Sequence, residues 1–100
     1  MRLLKDFGPD SRLAEFRYDA APASRDERRT CTIAIEPDAT AATLRYRIGG
    51  YAGAVSDLLG GRHVRLFRSD DPQTEFGRYV LRVDLEKGEI ELAFADLDDA

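Results

Sequence analysis

His63 is the only histidine and Cys31 the only cysteine among 100 residues. An imidazole can serve as a general base or a metal ligand. A thiolate can serve as a nucleophile where a nearby cation stabilises it. His63 precedes the strand-like residues Val64 to Arg68, and no Cys, Ser or carboxylate stands at a recognised spacing from it. It reads as a surface or strand-end histidine. Cys31 alternates with Ile33 and Ile35, which puts it on an apolar face, where a thiol behaves as a small hydrophobe. One cysteine also rules out an internal disulfide and a cysteine-rich zinc site.

Two loops carry further chemical groups. Gly49-Gly50-Tyr51-Ala52-Gly53 lies between a strand and a helical pattern, where backbone N–H groups can cradle a phosphate. It lacks a following Lys-Ser or Lys-Thr and a complete Gly-x-Gly-x-x-Gly, so a plain turn is expected. Asp70, Asp71 and Glu75 gather oxygen ligands suited to a hard cation, but the spacing is not that of an EF-hand. Asp followed by Pro72 is ordinary turn chemistry. No metal or cofactor is implied.

Basic side chains fall in three groups: Arg25, Arg28 and Arg29; Arg45 and Arg47; Arg62, Arg65 and Arg68. Converging, they could contact phosphates. The domain nevertheless carries a net charge of −4 and no nucleic-acid motif, which places nucleic acid behind a protein as the expected partner. Acidic residues gather at the other end. Residues 84–100 hold Asp84, Glu86, Glu89, Glu91, Asp96, Asp98 and Asp99 against Lys87 alone.

These groups must be positioned by strands. Tyr79, Leu81, Val83 and Leu85 alternate, as do Ile90, Leu92 and Phe94, which is the period of a strand with one buried face. With Glu86 to Glu89 as the turn, Leu85 faces Ile90, Val83 faces Leu92 and Leu81 faces Phe94. On the other face Asp84 then opposes Glu91, and Glu86 opposes Glu89. Directly opposed like charges destabilise a sheet. A basic protein partner would explain the arrangement, which makes Asp84, Glu86, Glu89 and Glu91 the expected partner-binding residues. Protection of a sheet edge is the competing explanation.

A second hairpin pairs Ile35 with Ala42, Ile33 with Leu44 and Cys31 with Tyr46, leaving Arg45 and Arg47 outside, opposite Thr32 and Thr30. Between the hairpins, Tyr51, Val55, Leu58 and Leu59 stand at helical spacing, bounded by Gly49-Gly50 and Gly60-Gly61. Residues 63–68 form a strand. Residues 2–7 and 12–18 form a hairpin around Gly8 to Ser11, or else Ser11 caps a short helix; the alternation of Ala14, Phe16 and Tyr18 favours strand. Segment 19–29 has no large apolar residue and reads as a loop. The expected core is Leu81, Val83, Ile90, Leu92, Phe94, Ile33, Ile35, Leu44 and Leu59.

The expected fold is therefore α+β: one domain over 1–100, a mostly antiparallel sheet of five to seven strands, open to curling, with one short helix at about 51–60. The 43% hydrophobic and 34% charged composition is that of a globular chain. No run is long enough to span a membrane, and Met1 to Asp6 lack the apolar stretch of a secretory signal, so a cytoplasmic protein is expected. The expected function is a non-enzymatic binding protein acting by protein–protein contact, as inhibitors, immunity proteins and phage anti-defence proteins do. The alternatives are nucleic-acid or anionic-ligand binding through the clustered arginines, and an enzyme subunit using His63.

Overall fold

Strand-forming alternation dominates the chain, and the computed structural model turns nearly all of it into sheet. The structure describes residues 1–18, 30–38, 42–51, 53–69 and 78–100. These form eight strands: β1 Arg2–Asp6, β2 Arg12–Tyr18, β3 Thr30–Glu36, β4 Leu44–Gly49, β5 Arg62–Arg68, β6 Tyr79–Leu85, β7 Gly88–Phe94 and β8 Asp96–Asp99. They make one open antiparallel sheet in the order β7-β6-β5-β2-β3-β4-β8, with β1 also on β5. None of the described helices is long and apolar enough to cross a membrane.

The sheet bends at two places where one strand runs on into the next. β1 and β2 do not form the expected hairpin. They follow one another along the same edge of β5, with Asp6 opposite Arg65 and Arg12 opposite Arg62. Gly8 to Asp10 bulge out between them, while the Phe7 and Ser11 backbones stay bonded to Val64 and His63. β7 and β8 are consecutive too. Ala95 is buried and donates its N–H to the Gly49 carbonyl at 2.9 Å, and there the chain passes from β6 to β4. Strands that switch partners at bends make the corners of such folded sheets. Between the two halves lies one core, built on Leu13, Ile33, Ile35, Leu81, Val83 and Phe94 among others.

Both expected hairpins exist with the expected faces but with shifted registers. In β6–β7, Leu85 faces Gly88, Val83 faces Ile90 and Leu81 faces Leu92. The turn takes only Glu86 and Lys87, because Gly88 at φ 126° supplies the positive φ that closes it early. In β3–β4 the slip runs the other way: Ile35 faces Leu44, Ile33 faces Tyr46 and Cys31 faces Ile48. Each slip is of two residues, which leaves every side chain on its original face.

The helix expected at 51–60 is absent, so the described fold is all-β. A single 3-10 turn, Val55–Leu58, takes its place. Gly53 stands at φ 115°, outside helical space, and an isolated helix of about ten residues is marginal in any case. The turn still does what the apolar spacing required, since Val55 and Leu58 are buried. Leu13 holds it through backbone bonds to Gly60 and Gly61, and Leu59 is left 46% exposed rather than in the core. Gly61 carries the chain so close to β6 that a Cβ there would stand 2.5 Å from a Val83 methyl. Ile90 and Leu44, also expected inside, are half-buried.

Candidate functional site

The outer faces of the two halves differ in how their charges are compensated. On β5–β6–β7 the charges form a closed chain. Arg65 bonds Asp84 at 2.7 Å and approaches Glu89 at 3.7 Å. Arg82 Nε lies 2.8 Å from a carboxylate oxygen of both Glu89 and Glu91, and its guanidinium stacks 4.6 Å from the centre of the Phe67 ring. The tight turn sets this up. Glu91 now faces Arg82 instead of Asp84, and the opposed acidic pair is Asp84–Glu89, with both arginines against it. The uncompensated repulsion expected from Asp84–Glu91 and Glu86–Glu89 does not arise. Glu86 is exposed in the turn and has no ion-pair partner among the described residues.

His63 closes the other end of this chain. Its Nε2 is 3.3 Å from Asp6 and its Nδ1 is 3.6 Å from Asp84. Both ring nitrogens face carboxylates, and the ring itself is part-exposed. The Asp6 carboxyl is held below its ordinary pKa, first by the Gly8 N–H that bonds it and then by His63. His63 is also the one non-glycine residue at positive φ among those described, at 52°, where β5 bulges against β6. That conformation costs an ordinary residue about 1 to 2 kcal/mol. His63→Gly is therefore expected to be more stable than His63→Ala by about 1 kcal/mol, since both lose the ring and only alanine keeps the backbone penalty. Urea denaturation of the two variants measures this. A less stable glycine variant would contradict the left-handed backbone.

On β2–β3–β4 the outer face is a grid. One row runs Arg17, Thr32, Arg47 and on to Asp98 of β8; the next runs Glu15, Ala34, Arg45. β3 contributes the small residues and its neighbours the long ones. A depression of about 370 Å³ results, with Thr32 and Ala34 at its floor and Glu15, Arg17 and Arg45 as walls. That volume falls in the range of small-ligand sites, about 300 to 1,000 Å³. Arg17, Arg45 and Glu15 are exposed and have no ion-pair partner among the described residues. Thr32 Oγ1 is shielded from solvent and has no hydrogen-bond partner among the described residues. The next arginine along, Arg12, is compensated by Glu36 at 3.0 Å.

Comparison of the chain with family models, curated proteins and solved structures gave no match.

The remaining candidates have structural places. Cys31 is wholly buried in the core. Gly49 ends β4, and Tyr51 beside it is buried and stacks on Tyr18 with ring centres 6.4 Å apart, so this stretch covers the core. Asp70, Asp71, Glu75 and the arginines at 25, 28 and 29 lie outside the described residues. No cluster of three metal-binding side chains occurs among the described residues. Of the arginine groups, Arg45 and Arg47 stand on the outer face as expected, whereas Arg65 belongs to the compensated half. The sequence reading missed Arg17 and Thr32. Their signal was available: Arg17 alternates with Phe16 and Tyr18, and only its pairing with β3 puts it beside the Arg45 group.

Proposed function

We propose that this chain is a binding protein without turnover of its own, which holds an anionic ligand on the outer face of β2–β3–β4. The observation that carries this reading is the pair Arg17 and Arg45, with no ion-pair partner among the described residues, around a floor that holds a threonine hydroxyl with no hydrogen-bond partner among them. Guanidinium forks match the geometry of phosphate and carboxylate oxygens and form charge-assisted hydrogen bonds with them. A buried hydroxyl without a partner is costly, and a ligand oxygen would relieve it. Arg17 and Arg45 are exposed, so their guanidiniums are open to an incoming anion. The acidic hairpin as a dock for a basic protein has weaker support, since Asp84, Glu89 and Glu91 already hold arginines.

Thr32→Val tests the reading by moving two quantities in opposite directions. It keeps the shape of the floor and removes the unpartnered hydroxyl, so stability should stay level or rise by up to about 1 kcal/mol. Affinity for inorganic phosphate, followed by amide NMR titration, should nevertheless fall. The Arg17→Gln, Arg45→Gln double variant should weaken phosphate binding at least tenfold, each lost charge-assisted bond contributing about 1.5 to 3 kcal/mol. Parental phosphate affinity in both variants would overturn the proposal.

A further inference from the structure

Resting on that reading, we infer that the ligand is a small phosphate monoester that also carries an amine, and not a nucleic acid. Strands lie about 4.8 Å apart and residues two apart on one face lie about 7 Å apart, so the depression is about 10 Å wide between β2 and β4. A phosphoryl group over Thr32 has Arg17 beside it and Arg45 diagonally across. Its charge of about −1.5 to −2 at neutral pH suits two guanidiniums better than a single carboxylate does. Glu15 decides the rest. It opens onto the same depression, one row along β2 from Arg17, and has no partner among the described residues. It accepts a donor from the ligand, best a cationic one, at about 7 Å from the phosphate position. A nucleic-acid strand would bring a second phosphate towards this carboxylate. Among the described residues it would also find no aromatic side chain standing out from this face for its bases to stack on, because Phe16 pairs with Ile33 on the inner face.

The experiment compares inorganic phosphate, O-phosphoethanolamine, 2-phosphoglycolate and a single-stranded oligothymidylate on the whole chain, by amide NMR titration. O-phosphoethanolamine is expected to bind about three- to fivefold more tightly than phosphate, the worth of one exposed ion pair, and 2-phosphoglycolate more weakly than either. Glu15→Gln should erase the preference for the amine and raise phosphate affinity, because it removes a like charge from beside the anion. Glu15 is exposed, and a parental thermal transition confirms that the variant folds. If the oligonucleotide binds most tightly and through Arg17 and Arg45, the anion site stands and this inference fails. It fails equally if Glu15→Gln leaves the amine preference in place. If no probe shifts the amides of Arg17, Thr32 and Arg45, the anion site itself is wrong and the inference falls with it.

Discussion

Phe94→Ala is expected to lower folding stability by about 3 to 5 kcal/mol, the usual cost of emptying a fully buried aromatic site. Phe94 has no exposed surface and stacks on Tyr79 across the β6–β7 ladder, with ring centres 5.5 Å apart and planes at 19°. It lies between the two halves of the bent sheet, sharing a small apolar space with Phe7, Ile35 and Leu97. The corner at Ala95 follows directly, so the residues around the ring are held from both sides and cannot easily close over a cavity. A domain of this size has roughly 5 to 15 kcal/mol of stability, so the loss would be a large share of it. Urea unfolding at neutral pH reads the change. A cost below about 1 kcal/mol would place the ring outside the core and overturn the inward face of β7.

That face was legible because period-2 alternation is a local property. Leu81, Val83, Leu92, Phe94, Ile33 and Ile35 all lie inside as their alternation predicts. Register was not legible, because it depends on where each turn closes. Glu86-Lys87-Gly88-Glu89 allows a four-residue or a two-residue turn, and the alternation is equally good in both, since they differ by an even step. The helix failed for a related reason. Val55 and Leu58 at helical spacing show only that both must face inward, which one 3-10 turn achieves. β8 left almost no trace, because Leu97 is its single apolar residue and the rest of Asp96–Asp99 is acidic.

The charged faces depended on register and on strand order, and so they were harder to read. A two-residue slip set Glu91 against Arg82 and converted an expected repulsion into an ion-pair chain. Arg65 could join only because β5 lies beside β6, a neighbour no local pattern announces. The depression needed β2 beside β3, which brings Arg17 of one strand level with Thr32 of the next. Residue types in the sequence supplied the chemistry. The strand order that brings carboxylates to Arg65 and Arg82, and leaves Arg17 and Arg45 without an ion-pair partner among the described residues, came from the topology.

Ser11 shows the same dependence, and its replacement carries the second large expected effect. Its side chain reads from the sequence as a turn or helix-cap residue. In the fold it is wholly buried and joins two segments more than fifty residues apart. The Ser11 hydroxyl donates to the Gly8 carbonyl at 2.6 Å and accepts the Val64 N–H at 2.8 Å. It thereby bridges the break between β1 and β2, where the Gly8–Asp10 bulge interrupts pairing with β5. Ser11→Ala leaves the Gly8 carbonyl with the Ser11 backbone N–H at 3.1 Å, but Val64 loses its acceptor inside the core. A buried donor left unsatisfied costs about 1 to 3 kcal/mol, more than the net worth of an ordinary hydrogen bond. Urea unfolding should show a loss in that range. Amide exchange adds a local readout, since Val64 should exchange faster by more than the global destabilisation accounts for, while Leu81 and Val83 on β6 should follow the global change alone. Uniform acceleration at all three amides, or no loss of stability, would mean that the hydroxyl is not the acceptor that holds β5 to the β1–β2 break.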